Sequence, residues 1–404
     1  MKVAMFTDTF LPNANGVVTS ILNQIKGLKR RGIDVVVFAP GEKTKLEEYY
    51  GAKVYYIKGL DFKSYPGYKI VLPDKFLSRI LAFLEIEEPD IYHVHSPFSL
   101  GIAGLIYASK FKKPVVGTFH THLGEYIGYL RNGHITKIEK NLLNSINWKY
   151  LKFFFNSCDA TISPTKEIAK LLKQKKFKNV NVVPSTIDFK WMDKQKKTNI
   201  LKKHNIKKSK KIILYVGRLG FEKKLNILFD AFKLLSNDYY LIIVGEGPFE
   251  DKYKKYVKDN KINNVIFTGY IPDKKLPSYY ANCDIFVSPS DTETQGLTFI
   301  EAMHFGKPVV GVNKYGVKEI IKNYKNGLKC KPNDPLDLKN KIEKLNNKKL
   351  YQKLSANAKK YSLNYSVDKV INKTIRIYTH IKRSKKKTFL NRISKRFKNI
   401  LNFV

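Results

Sequence analysis

Acidic side chains are scarce in this chain. Only 34 Asp and Glu stand against 75 Lys and Arg, a formal charge of +41. Such an excess draws the surface toward polyanions, either nucleic acid or an anionic lipid leaflet. AT-rich coding, which favours Lys, Asn, Ile and Tyr, would also leave a lysine-rich surface. The marks of a nucleic-acid binder are missing: there is no zinc-finger spacing, RNP aromatic motif or helix-turn-helix pattern. The charge is therefore read as favouring a membrane surface over nucleic acid. Cysteine is scarce too. Cys158, Cys283 and Cys330 have no metal-ligand spacing and make no disulfide framework, which predicts free thiols in a reducing compartment. No run approaches the roughly 20 apolar residues of a spanning helix. The first residues, Met1-Lys-Val-Ala-Met-Phe-Thr-Asp8, lack the long apolar core of a signal peptide. These absences predict a protein that is cytoplasmic or attached to a membrane face, not embedded in one; with the basic charge, a peripheral place on the cytoplasmic face of the plasma membrane is expected. No Ser-His-Asp set or nucleotide-kinase P-loop is found. Val244-Gly-Glu-Gly-Pro248 follows a strand pattern, but its spacing is wrong for a phosphate loop.

What is present is length, apolar content and alternation. A chain of 404 residues with 43% hydrophobic residues suits two domains better than one core. Apolar strand patterns at Lys2–Phe6, Asp34–Phe38, Lys53–Ile57, Ile91–Val94, Val115–Thr118 and Ala160–Ser163 alternate with helical patterns. The scheme repeats at Lys211–Val216, Tyr240–Val244, Val265–Thr268, Ile285–Ser288 and Pro308–Val312. The expected fold class is α/β, with two Rossmann-like, doubly wound domains. Lysine, Asn and Gln dilute the apolar pattern between Pro184 and about Lys210, where a hinge is expected. The expected domains are 1–190, 191–365 and a terminal segment 366–404.

One stretch carries most of the functional information: Ser288-Pro-Ser-Asp-Thr-Glu-Thr-Gln-Gly-Leu-Thr-Phe-Ile-Glu-Ala-Met-His-Phe-Gly306. A strand feeds a Gln-Gly-Leu-Thr turn, and a helix leaves it. Gly296, Leu297 and Thr298 are then expected at a helix N-terminus, where backbone N–H groups and the helix dipole favour phosphate. Glu301 is placed in the first turn of that helix, within reach of ribose hydroxyls. Glu293 is placed before the turn, on the strand side. An ordinary strand–turn–helix with surface glutamates would carry the same pair.

The segment resembles the E-x7-E signature of retaining glycosyltransferases of family 4, which have the GT-B fold, and the resemblance covers roughly the first 380 residues. Thr292-Glu-Thr-Gln-Gly-Leu-Thr298 is most similar to the diacylglycerol glucosyltransferases of cell-wall-poor and Gram-positive bacteria. The resemblance implies a ligand cleft between the two domains, a Glu293 that contacts the donor sugar and a Glu301 that binds the ribose. It also implies that a terminal helix around 366–380 returns to the N-terminal domain.

Further candidates follow from the same resemblance. Gly217-Arg218-Leu-Gly-Phe-Glu222-Lys223 matches a Gly-Arg…Glu-Lys-Gly segment, with Lys224 where glycine is usual. Arg218 and Lys223 would stabilise the charge that develops on a departing nucleoside diphosphate, without a metal. Gly16 sits in a segment similar to the family's N-terminal loop, where a side chain would obstruct the donor phosphates. His120 resembles the histidine that touches the transferred sugar. His93 and His95 follow the same kind of strand, and His120-Thr-His122 has no third metal ligand of clear spacing. Asp8 and Glu125 are weaker candidates for the same cleft.

Two segments suit a lipid surface. Residues 381–404 hold nine Lys or Arg and no acid. Leu390, Ile393, Phe397 and Leu401 recur there at helical spacing, with Arg396 and Lys398 on the remaining circumference. Packing on the protein itself, or a disordered basic tail, would use the same residues. Ile138–Phe155 reads equally as a core helix or a membrane-facing one.

The function expected is transfer of glucose from UDP-glucose to 1,2-diacylglycerol at an anionic membrane surface, with no cofactor or metal required and no nucleic-acid partner. The alternatives are a family 4 hexosyltransferase with another lipid or polysaccharide acceptor, and a non-enzymatic basic module.

Overall fold

A computed structural model describes residues 1–13, 15–61, 69–71, 73–120 and 137–384. The chain divides into two compact units, Met1–Thr186 with Val370–Val404, and Ile187–Lys369.

The first unit is built on an eight-stranded sheet: β1 (Lys2–Phe6), β2 (Asp34–Gly41), β3 (Lys45–Tyr49), β4 (Ala52–Lys58), β7 (Ile91–Val94), β8 (Val115–Thr118), β9 (Ala160–Ser163) and β10 (Val180–Val182). The short strands β5 (Leu60–Asp61) and β6 (Lys69–Ile70) pair separately. The order is β10-β9-β8-β7-β1-β2-β4-β3. Every pair is parallel except β3–β4. Helices α1 (Gly16–Lys29), α2 (Pro73–Glu87), α3 (Ser99–Lys110), α4 (Lys137–Asn156) and α5 (Lys166–Gln174) connect the strands. Strands such as β1 and β7 are buried along nearly their whole length. That explains why they read as unbroken apolar runs rather than alternating ones. Asn15 caps α1, its side chain accepting from the N–H groups of Val17 and Val18.

The second unit holds six parallel strands: β11 (Lys211–Val216), β12 (Tyr239–Val244), β13 (Val265–Phe267), β14 (Ile285–Ser288), β15 (Val309–Val312) and β16 (Gly327–Cys330). Their order is β13-β12-β11-β14-β15-β16. Its helices are α6 (Phe189–Lys194), α7 (Ile200–Lys203), α8 (Leu225–Lys233), α9 (Glu250–Asp259), α10 (Leu276–Asn282), α11 (Leu297–His304), α12 (Tyr315–Ile320), α13 (Pro335–Lys344) and α14 (Lys348–Ser362).

The segment read as a lysine-diluted hinge is largely folded. Ile187, Phe189, Met192, Ile200 and Ile206 are buried in one core cluster with Phe286 and Phe299. The apolar residues there are few and unevenly spaced, but they are buried, whereas Lys190, Lys194, Lys202 and Lys203 are exposed on the outer faces of α6 and α7. Helix α15 (Val367–Ser384) leaves the second unit, and Val370, Ile371, Tyr378 and Ile381 join the core of the first.

Both sheets reverse their winding direction beside the first strand of the unit. In the first the switch falls between β1 and β7, in the second between β11 and β14. Ligand sites in open α/β sheets form at the carboxyl ends of the strands flanking such a point.

Candidate active site

In the second unit, the loops after β11 and β14 meet at the switch point. The first turns through the short 3-10 segment Phe221–Lys223, and the second carries Asp291 and Glu293. Lys223 Nζ donates to Glu293 Oε1 at 2.6 Å, with both side chains largely shielded from water. Two residues chosen for separate roles thus form one ion pair. Burial alone would depress the Lys223 ammonium, but Glu293, with Tyr215 and Glu222, holds its pKa above the ordinary value. Arg218 lies half-buried on the same loop, and burial draws its guanidinium below its usual value, against the pull of Glu222.

Lys224 has φ +53° and ψ +41°, the left-handed conformation that favours glycine. Its ammonium is anchored at 2.9 Å from Asp291 Oδ2 and 3.0 Å from Asn333 Oδ1. Lys314 approaches the same Asp291 oxygen at 3.1 Å. Burial would raise the Asp291 pKa, but the two lysines outweigh it and hold it below the usual carboxylate value.

Gly296 caps α11 with φ +83°, so the helix begins at Leu297, without a side-chain cap. Leu297 and Thr298 are half-buried at its first positions. Glu301 therefore falls in the second turn, not in the first, where the sequence pattern places it. Its carboxylate is buried, and the Tyr280 hydroxyl donates to it at 2.6 Å. Burial raises the Glu301 pKa from 4.5 to about 7, the Tyr280 hydrogen bond opposing the rise. Behind the loop, Gly316 N–H donates to the Glu293 carbonyl at 2.9 Å.

In the first unit the loops after β1, β7 and β8 converge. Asp8 is buried and accepts from Ser96 Oγ, Ser99 Oγ and the Leu100 N–H, at 2.8, 2.7 and 2.8 Å. It thereby caps α3 from a neighbouring loop, and burial raises its pKa against these bonds. His93 is locked between the hydroxyls of Tyr378 and Thr118, both at 2.6 Å. His95 Nδ1 lies 2.9 Å from His120 Nε2. Gly16 opens α1, and a Cβ there would meet nothing within 4 Å. The fold itself does not require glycine at that position.

Helix α4 is core on one face and exposed on another. Leu151, Phe154 and Phe155 are in the core, whereas Leu142, Ile146 and Phe153 are 60%, 53% and 37% exposed. His122, Glu125 and the tail residues Leu390, Ile393, Arg396, Phe397, Lys398 and Leu401 lie outside the described residues. Among the described residues, no three or more His, Cys, Asp or Glu side chains group as a metal site, and no helix is long and apolar enough to cross a membrane.

Tyr280, Asp291 and Lys314 do not stand out in the sequence as site residues. Tyr280 gives no signal, because its partner is 21 residues away on another helix. Lys224 gives one, as a lysine at a position suited to glycine.

The model of glycosyltransferase family 4 matches residues 14–191, and that of glycosyl transferases group 1 matches residues 196–361. An alpha-monoglucosyldiacylglycerol synthase of Acholeplasma laidlawii is 30% identical over 371 residues, spanning 89% of this chain and 92% of that protein. The chain belongs to glycosyltransferase family 4. A GDP-mannose-dependent alpha-mannosyltransferase of Corynebacterium glutamicum is also 30% identical to this transferase, over 81% of this chain and 76% of its own. Among solved structures, sucrose-phosphate synthase from Thermosynechococcus elongatus superposes with a TM-score of 0.78 at 18% identity, covering 95% of this chain and 99% of its own. Anabaena HepE gives 0.75 at 17% identity, covering 94% and 100%. The transferase has the GT-B fold.

Proposed function

We propose that this transferase moves glucose from UDP-glucose to the 3-hydroxyl of 1,2-diacylglycerol, with retention of configuration, at an anionic membrane surface. The observation that carries the reading is the 30% identity to the Acholeplasma laidlawii alpha-monoglucosyldiacylglycerol synthase over nearly the full length of both chains. The second reading, a hexosyltransferase with another donor and acceptor, is favoured by the equal identity to the mannosyltransferase.

In this proposal Lys223, Arg218 and the α11 N-terminus, at Gly296, Leu297 and Thr298, hold the pyrophosphate. Glu293 and His120 orient the sugar, Glu301 clasps the ribose, and open space at Gly16 admits the donor. As the sugar–phosphate bond breaks, negative charge grows on the leaving phosphate, and fixed cations stabilise it. Glu293 takes part of the Lys223 charge in the resting pair, so donor binding redistributes that cation toward phosphate. The leaving phosphate accepts the proton of the acceptor hydroxyl on the same face of the sugar. The reading calls on no metal, and adding a chelator to the transfer assay should leave the rate unchanged.

Glu301 gives this reading a pH signature. Ribose hydroxyls donate to an ionised carboxylate, yet the free protein holds this proton up to about pH 7. UDP affinity should therefore rise from pH 6 to pH 8 and level off above, with proton release at the lower pH. Below pH 7 the slope approaches about tenfold per unit. Stability moves the other way: the raised carboxyl contributes most below its ordinary 4.5 and loses that contribution as pH rises through about 7. Calorimetry with UDP and GDP checks both points. Stronger binding of UDP, with a slope that vanishes in Glu301→Gln, supports the assignment. A pH-independent wild type contradicts the ribose role, and preference for GDP favours the second reading.

The membrane part draws on the exposed Leu142, Ile146 and Phe153 of α4 and on the basic tail. Deleting residues 385–404 should lower sedimentation with anionic vesicles, since each Lys or Arg near such a surface contributes on the order of 1 kcal/mol. The loss should shrink at high salt. Equal sedimentation of truncated and full-length protein at low salt would reject the tail and point to α4.

A further inference from the structure

Within the second unit, α11 places a carboxylate where the helix is otherwise core. Phe299, Ile300, Ala302 and Met303, on both sides of Glu301, are wholly buried, and Glu301 itself is 9% exposed. A buried carboxylate is normally met by a cation or by several donors. Glu301 has one hydrogen bond among the described residues, and its donor is neutral: the Tyr280 hydroxyl, 2.6 Å from Oε2. That length is the one expected of a hydroxyl donating to an ionised acceptor. Oε1 makes no hydrogen bond among the described residues, yet it is not sealed from water as the buried, unpartnered side-chain atoms are. It is the oxygen left for a ligand.

Tyr280, on α10, is wholly buried. Its ring lies between Phe286 and Phe305, with centroids 6.1 Å from each, in the core cluster that also holds Phe299 and Ile300. A phenol is rigid, so packing that fixes the ring also fixes where its hydroxyl lies. The titratable groups acting on the Glu301 carboxyl are Tyr280 and, from the loop before α10, Asp273; burial and Asp273 raise its pKa, and the Tyr280 bond lowers it. Of the other elements packed on α11, β14 and β15 carry no titratable side chain. On α14 the lysines are exposed, Tyr351 donates to the Asp284 carbonyl, and Tyr361 bonds to Tyr365. His304, one turn along α11, is engaged by Asp193 at 2.8 Å.

We propose that Tyr280 is a positioning residue: its hydroxyl holds Oε2 of Glu301 and so turns Oε1 toward the ribose hydroxyls of the nucleotide. That Glu301 meets the ribose rests on the function proposed above; that Tyr280 sets the carboxylate does not. The bond also favours the ionised carboxylate, which is the form that accepts from a hydroxyl. Position and charge state of Glu301 thus depend on one oxygen atom of a core tyrosine.

The test uses Tyr280→Phe in the full chain, which removes that oxygen and keeps the ring that fills the core. In protein labelled with 13C-glutamate and free of nucleotide, one side-chain carboxyl should titrate near pH 7 and be missing from Glu301→Ala. In Tyr280→Phe its midpoint should move up by about one pH unit, the shift expected when a hydrogen bond to the charged form is lost. Calorimetry then follows UDP and 2′,3′-dideoxy-UDP, which lacks the ribose hydroxyls. Near neutral pH, Tyr280→Phe should bind UDP about 3- to 10-fold more weakly and lose part of the preference for UDP over the dideoxy compound. In the Glu301→Ala background the same change should have no further effect on UDP affinity, because Tyr280 acts through that carboxylate. A Glu301 midpoint unmoved in Tyr280→Phe overturns the proposal. So does an equal loss of UDP affinity with and without the Glu301 carboxylate, which would mark Tyr280 as packing alone. A shifted midpoint with wild-type UDP affinity in Glu301→Ala would instead overturn the ribose contact, and with it the role of Tyr280 in nucleotide binding.

Discussion

Replacing Lys223 with alanine should lower turnover by about 10²–10³-fold, the loss expected when one preorganised charge is removed from a developing anion. The size follows from where the ammonium sits. Lys223 is only 15% exposed and lies 2.6 Å from Glu293. Little water is present to replace it, and solvent screening there is weak. Glu293→Ala should also slow transfer, since it removes the partner that fixes the lysine. The double variant should lose less than the sum of the two, because both act through one contact. Steady-state rates of the two single variants and the double variant provide the check. Near-normal turnover in Lys223→Ala would make the pair an ordinary surface ion pair, whose usual worth is about 0–1 kcal/mol.

Gly316→Ala should be nearly as damaging, although residue 316 carries no functional group. A Cβ there would lie 2.1 Å from the Thr294 carbonyl oxygen, 2.3 Å from its carbon and 2.6 Å from the Gln295 nitrogen. All three are backbone atoms, so no side-chain rotation relieves the clash. The loop bearing Glu293 must move, and its hydrogen bond to the Gly316 N–H stretches. Overpacking of this kind costs about 1–3 kcal/mol, and a displacement near 1 Å at a reacting centre costs roughly 10²-fold in rate. Both the melting temperature and turnover should fall. Wild-type values for both would mean that the loop yields freely and that its close packing does not set the position of Glu293.

Much of the fold is legible in the sequence because the relevant pattern is local. Strands buried on both faces read as apolar runs, and Lys211–Val216 appears as β11 with the same bounds. The strands β3, β10 and β16 escape such a reading. Asn181 and Lys329 interrupt the apolar runs of the last two, and β3 carries a single aliphatic residue, Leu46. The folded α6–α7 segment escapes it because lysines separate its buried residues. Glu301 reads one turn too early because helix onset depends on the left-handed Gly296, which fixes Leu297 as the first helical residue. Contacts across the fold are beyond reach. Lys223 and Glu293 each stand out by motif, but their pairing spans 70 residues of sequence. Nothing near Asp8 in sequence announces that Ser96, Ser99 and Leu100 will surround it.

Transfer of labelled glucose from UDP-glucose into lipid is the most direct test of the central claim. With diacylglycerol presented in mixed micelles containing anionic lipid, the label should enter an alkali-labile glycolipid with an α-linkage to the 3-hydroxyl. Little should enter it when diacylglycerol is omitted, and Lys223→Ala should lower the yield in proportion to its rate. Label appearing only in a soluble oligosaccharide, or transfer from GDP-mannose but not from UDP-glucose, would contradict the proposed donor and acceptor.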